Sequence, residues 1–288
     1  MKQAFLGSFL LVNVLISLPV FAANPQHLEQ LLKTNNCSRC DLSNADLSNK
    51  NLNLAYLGEA NLQGANLQKT KLQQAFLFRA NLKNANLSGA NLTSADLSGA
   101  DLSGADLSNA DLNQAYVSKA NLQGANLQKA DLSNTNLLKV NLSRANLNGA
   151  DLVSSILQQS NLQGASLIKA KLGQVYLSGA NLQGANFQEA RLEQSNLRET
   201  NLQGANLKKA FLFQSDLTEA DLKEANFTEA NLSYCYLVGA NLTRANLTKT
   251  ILQQAILLRA NINGTIFQNT ILNGATMPNG ELKHYLTK

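Results

Sequence analysis

Cys37-Ser38-Arg39-Cys40 is the one place in this 288-residue chain where residue type and spacing together suggest chemistry. Two thiols at this spacing can close a small disulfide, cycle as a redox pair, or supply half of a zinc site. A redox pair of the thioredoxin kind sits in a strand–helix–strand setting, and none surrounds these residues. Zinc needs two further ligands, and only His27 is nearby. Haem attachment needs a histidine directly after the second cysteine, where Asp41 stands. In an oxidising compartment, Cys37 and Cys40 read as a disulfide bracing the first turn of the fold. A loop this short gains little from closure, so its effect is expected to be local. Cys235 falls in a small-residue position and reads as an inert, buried thiol.

Other chemistry finds little support. Asp111, Asp131 and Asp151 are spaced by twenty, so stacked coils would align them, and a divalent cation could bridge them. Asp or Asn at that place is the chain's default, so they read as background and no metal is expected. Both histidines, His27 and His284, lie outside the repeating region. No carboxylate pair stands out, and no glycine-rich phosphate loop precedes a helix, so no catalytic residue and no cofactor are expected. The formal charge is +5, or +4 without Lys2. Residues 41–180 hold 11 basic and 9 acidic side chains, and residues 181–275 hold 8 of each. Such mixing argues against a nucleic-acid partner.

Any of these residues must be positioned by a period of five. From Leu42 to Met277, all 48 fifth positions are Leu or a residue of similar shape. Forty-two are Leu; the others are Val117, Phe187, Phe227, Ile262, Phe267 and Met277. Helices repeat at about 3.6 residues and strands at about 2, so neither explains this beat. A coil built from one short unit does. The residue two before each leucine is Ala in 33 of 48 repeats and otherwise small, apart from Lys50. Large leucines alternating with small residues make a narrow interior, each buried Leu contributing roughly 1.5–3 kcal/mol. Thirteen of the 17 glycines lie two after the leucine, which predicts a turn corner with positive φ there.

A second period counts the sides. The residue just before each leucine is Asp or Asn in 32 of 48 repeats. Sorted modulo 20, the class beginning at Asp41 never departs from Asp or Asn. The classes beginning at Asp46, Asn51 and Tyr56 depart twice, six times and eight times. Four repeats per coil and four unequal faces follow, with 12 coils spanning about 58 Å at strand spacing. On the fourth face the position reads Tyr56, Phe76, Asp96, Tyr116, Asn136, Ile156, Tyr176, Asn196, Asp216, Tyr236, Ile256, Thr276. Phe78, Leu138, Val238 and Leu258 are near neighbours. This apolar stripe is the candidate partner-binding surface. Aromatic and β-branched residues also stabilise neighbouring rungs of a sheet, a purely structural use of the same pattern.

The ends differ from the middle. Lys2, the apolar run from Phe5 to Val20, and Val20-Phe21-Ala22 read as a signal peptide, residues 1–22, cleaved after Ala22. Asn24-Pro25 is a helix start, and Leu28, Leu31 and Leu32 share one helical face. A short helix over about Pro25 to Thr34, in a segment 23–36, is expected to cap the open end of a 37–277 β-helix. Pro278-Asn279-Gly280 stops the repeat, and 278–288 is a C-terminal tail.

Ala-Asn-Leu-Gln-Gly (60–64), Ala-Asp-Leu-Ser-Gly (95–99) and Ala-Asn-Leu-Thr-Arg (240–244) resemble the motif of the pentapeptide-repeat family. The resemblance covers roughly 41–277. It implies an all-β, right-handed quadrilateral β-helix, the repeat-five-residue fold, here capped by a short α-helix. With the signal peptide, Cys-x-x-Cys and Thr276 to Gly280, the chain looks like exported lumenal or periplasmic cyanobacterial members. The expectation is an exported, non-enzymatic scaffold in periplasm, thylakoid lumen or outside the cell, binding a protein partner. Self-association through the stripe or the last coils (Ile251, Ile256, Ile266, Ile271) is one alternative. DNA mimicry with gyrase inhibition, as in some family members, is another, disfavoured here by charge balance and the export signal.

Overall fold

The computed structural model describes residues 23–283. The signal-peptide reading of residues 1–22 and His284 lie outside them. Parallel bridges join residue n to residue n + 20, from Asn36–Tyr56 through Ile256–Thr276. Each coil therefore takes four five-residue units, and each unit forms one side. Among the described residues no continuous strand forms: the bridges are isolated, one rung residue per side. The reason is local, because a turn follows every leucine and leaves only a short extended stretch between corners.

Residues 61–65 show how one unit satisfies its backbone. Asn61 N–H donates to Cys40 O in the coil below at 2.8 Å, and Leu62 and Gly64 N–H donate to Asn81 and Lys83 O above at 2.7 and 2.9 Å. Ala65 N–H closes the turn on Leu62 O at 3.0 Å. The remaining donor, Gln63 N–H, is taken by Asn61 Oδ1 at 3.3 Å. No N–H is left over, which is what a buried backbone demands. This also explains the Asp/Asn preference, since a short side-chain oxygen can cap a donor two residues on. At Asp41 the same bonds, from the Ser43 hydroxyl and N–H, hold the carboxyl below its usual pKa. Asn adds a donor that reaches the coil below, as in Asn61 to Asp41 (2.9 Å), Asn81 to Asn61 (3.0 Å) and Asn141 to Asn121 (3.0 Å).

Every corner from Arg39 to Gly274 has positive φ. Glycine occupies 13 of these corners as expected, but Lys, Arg, Gln, Glu, Asn, Ser and even Leu54 and Tyr234 hold the same geometry. No Val, Ile or Thr occurs at this position, whereas Thr93, Val153, Ile168 and Thr243 sit one residue earlier. Left-handed backbone is costly for any L-residue and worst for β-branched ones, and none of the latter stands at a corner.

Inside, the leucine and alanine columns are buried from Cys37 to Ala260. Lys50 departs outward and is exposed, so its place contributes no charge to the core. Where Ser or Thr replaces Ala, the hydroxyl donates to a leucine-column carbonyl. Thr70 reaches Leu47 O at 2.8 Å, Ser195 reaches Leu172 O at 2.7 Å and Thr250 reaches Phe227 O at 2.7 Å. Among the described residues no buried side-chain nitrogen or oxygen lacks a partner. A narrow core thus tolerates hydroxyls because each meets a carbonyl.

The two ends close differently. Helix α1 (Pro25–Thr34) is capped by Asn24, whose side chain accepts from Gln26 and His27 N–H, and it ends on left-handed Asn35. Leu31 is buried and Leu28 packs on the core, but Leu32 is 51% exposed, so the expected three-leucine face uses two. α1 stands in for a missing coil: His27 Nδ1 accepts Asp41 N–H at 3.0 Å, the bond a lower coil supplies elsewhere. At the other end, Gly280 turns the tail back so that Leu282 pairs antiparallel with Thr276. That covers one side. The N–H groups of Ile262, Gly264, Phe267, Asn269 and Leu272 have no backbone partner among the described residues.

The corner rule is testable at Gly124, where φ is +66° and an added Cβ would meet open space. Gly124→Val should destabilise by about 2 kcal/mol through backbone strain. Gln123→Val, one residue earlier, should change stability by no more than about 0.5 kcal/mol. Urea unfolding midpoints decide; equal shifts for the two variants would refute the rule.

Candidate interaction surface

The outward rung positions of the fourth face lie directly over one another. Bridges link Tyr56 to Phe76, Asp96, Tyr116, Asn136, Ile156, Tyr176, Asn196, Asp216, Tyr236, Ile256 and Thr276 in turn. Tyr56, Tyr116, Tyr176 and Tyr236 are each about half exposed, and Phe76, Phe78, Ile156 and Leu258 somewhat less. Leu138, Val238 and Ile256 are half-buried. The stripe is not continuous. Asp96, Asn136 and the pair Asn196–Asp216 interrupt it, leaving islands at Tyr56–Phe76, Tyr116, Ile156–Tyr176 and Tyr236–Ile256. In the first island the rings stack, with centroids 4.9 Å apart and planes within 6°. Arg79 lies over the Phe78 ring at 4.9 Å, a cation–π contact on the same face.

Sorting only the residue before each leucine missed half of this surface. The corner column beside it reads Leu54, Gln74, Ser94, Gln114, Asn134, Ser154, Gln174, Gln194, Gln214, Tyr234, Gln254, Gly274. It carries no charge along its whole length, whereas each of the other three corner columns holds Glu together with Lys, Arg or both. Gln174, Gln194 and Gln214 form an amide chain, at 3.2 and 3.1 Å. Tyr234 joins Phe213 edge to face at 5.4 Å, and Phe211 is exposed beside them. Applying the modulo-20 sort to all five positions would have exposed both features. Two hollows open along this corner. One, of about 340 Å³, is lined by Gln74, Phe76, Ser94, Asp96, Ser98 and Tyr116. The other, of about 470 Å³, is lined by Gln194, Gln214, Tyr234, Tyr236, Gln254 and Ile256.

The remaining candidate groups take structural roles. Cys37 and Cys40 form a disulfide where α1 meets the first coil. Cys235 is buried, its Sγ lies 2.8 Å from Leu212 O, and burial pushes its thiol pKa up to about 12. Asp111, Asp131 and Asp151 do stack, but Asp151 pairs with Lys171 at 3.1 Å. Among the described residues no group of three His, Cys, Asp or Glu is arranged to hold a metal ion.

A solenoid of short, similar units, with a filled interior and chemically distinct outer faces, defines a class of repeat protein. The model of pentapeptide repeats (8 copies) matches residues 36–74 and 75–114, then overlapping windows between 120 and 277. The chain belongs to the pentapeptide repeat family, whose members form right-handed quadrilateral β-helices. Similar solved structures include HetL of the cyanobacterium Nostoc sp. strain PCC 7120, involved in heterocyst differentiation regulation. It is 30% identical, with 89% of this chain and 97% of that one covered and a TM-score of 0.36. QnrB1, a plasmid-mediated fluoroquinolone resistance protein, is 18% identical over 67% of this chain and 89% of that one, TM-score 0.43. A pentapeptide repeat protein of the Arabidopsis thaliana thylakoid lumen is 28% identical over 36% and 68%, TM-score 0.26. No curated protein matches the chain.

The cysteine assignments can be checked by alkylation of protein isolated without reductant. The folded protein should take up no label. Unfolding in denaturant should expose Cys235 alone, and adding reductant should expose all three. Label on Cys37 and Cys40 before reduction would refute the disulfide.

Proposed function

We propose that this protein is an exported, non-enzymatic β-helical rod of about twelve coils that serves as a scaffold for a protein partner. The surface it offers is the edge where the third and fourth faces meet. The observation that carries this reading is the coincidence of two columns there, one rich in exposed aromatic rings and one without charge. Depletion of charge beside large aromatic groups is the compositional signature of an interface centre. The filled interior supports a contact function over an enzymatic one.

Export is supported by Lys2 and the apolar run after it, and by the Cys37–Cys40 disulfide, which suits an oxidising compartment. No helix among the described residues is long and apolar enough to cross a membrane. Gyrase inhibition through DNA mimicry fits less well, because basic and acidic side chains are nearly balanced along the rod. Self-association is the second reading, and one observation favours it. The last coil presents N–H groups with no backbone partner among the described residues, beside Ile266 and Ile271, which are 49% and 44% exposed. Such an edge invites another chain.

Replacing Tyr56, Phe76, Tyr116, Tyr176 and Tyr236 with Asn should leave the rod folded and remove its co-purifying partners. A tagged wild-type protein should be found outside the cytoplasm. A folded variant that keeps every partner, or a cytoplasmic wild type, counts against the proposal.

A further inference from the structure

We infer that the notch between Phe76 and Tyr116 receives the guanidinium of an arginine side chain on the protein partner. This rests on the interaction surface proposed above and assigns its first specific contact. The ring column sets the geometry. Tyr56 and Phe76 stack at 4.9 Å with nearly parallel planes, so ring faces here point along the rod, one ring per coil. At the next rung Asp96 replaces the ring, and Tyr116 resumes the column one rung later. Two rungs span about 9.6 Å at strand spacing. A planar cation at the height of Asp96 would lie about 4.8 Å from each flanking rung, within the roughly 6 Å range of cation–π attraction.

The floor of the notch selects the charge. Asp96 Oδ1 accepts the Ser98 N–H at 2.9 Å. No ion pair among the described residues includes Asp96. Gln74, Ser94 and Ser98, which complete the lining, are neutral. An anion would be repelled, and an apolar group would desolvate a carboxylate without compensation. A guanidinium satisfies both surfaces, because its plane stacks on rings while its N–H groups bond a carboxylate. An ammonium supplies the charge without the flat face.

The chain itself contains the precedent. Asp216 occupies the same column in the other acidic gap, between Tyr176 and Tyr236. There Arg198, from the coil below, bonds Asp216 Oδ2 through Nη1 at 3.2 Å. The position that corresponds to Arg198 below Asp96 is Phe78. Arg79 next to it lies over the Phe78 ring. One acidic gap is thus filled from within, and its counterpart is left for a cation from outside.

The test titrates the full-length mature protein with acetyl-arginine methylamide and follows Ser98 N–H and the Tyr116 ring by NMR. Saturable shifts confined to these groups are expected. Acetyl-citrulline methylamide, the uncharged isostere, should give none, and acetyl-lysine methylamide weaker ones. Asp96→Asn should weaken arginine binding by about tenfold or more. Phe78→Arg should abolish it by filling the notch as Arg198 fills its own gap. Unfolding midpoints of both variants establish that they remain folded. Equal shifts from arginine and citrulline, or undiminished binding by Asp96→Asn, would overturn the inference. So would loss of mass in sedimentation on adding the arginine probe, which would assign the arginine to a second copy. Partner loss in the five-site Asn variant with no arginine binding to wild type would refute the notch alone. Arginine binding together with partners retained by that variant would refute the wider surface alone.

Discussion

Everything in this protein depends on satisfying five backbone N–H groups per five-residue unit. In residues 61–65 three are taken by adjacent coils, one by the unit's own turn and one by its own Asn side chain. That solution requires another coil twenty residues away on either side. It therefore dictates the ladder of bridges and favours Asp or Asn before most of the leucines. The ends test the rule. Where no coil lies below, His27 of α1 supplies an acceptor for Asp41 N–H. Above, the returned tail supplies partners to one side, and the N–H groups of Ile262, Gly264, Phe267, Asn269 and Leu272 have no backbone partner among the described residues.

The interior follows from the same constraint. Carbonyls of the leucine column close the turns, and they also accept hydroxyls from buried Ser and Thr. The small-residue column, mostly Ala, therefore also admits Ser, Thr or Cys. At the corners the backbone must reverse with positive φ, yet the side chain there points to solvent and its identity is nearly free. Branching at Cβ is excluded, which is why Thr occurs one residue earlier and is absent at the corner.

With backbone and core so constrained, individuality is confined to the outer positions, and it is uneven. The first face is an almost uninterrupted run of Asp and Asn, linked along the rod by side-chain amides. The edge between the third and fourth faces concentrates the exposed rings and lacks charge on its corner column. A surface so different from its neighbours on a scaffold this regular is what the proposed interaction function would require.

Much of this was legible in the residues alone. The period of five, the four-residue-class alternation at twenty, the buried columns and the glycine corners all repeat dozens of times, and repetition turns a weak local preference into an unambiguous pattern. The helix start at Asn24-Pro25 was equally plain, because capping and proline geometry act within a few residues. Tertiary structure decided what depends on neighbours twenty residues apart and on side-chain direction. It showed that the Tyr56 and Phe76 rings stack and that Leu32 faces away from the core. It also placed Arg198 on Asp216 while leaving Asp96 without an ion pair among the described residues. Sequence spacing puts such residues on adjacent rungs. Whether they meet is set by where each side chain swings and what already occupies the next coil, and no count of residues contains that.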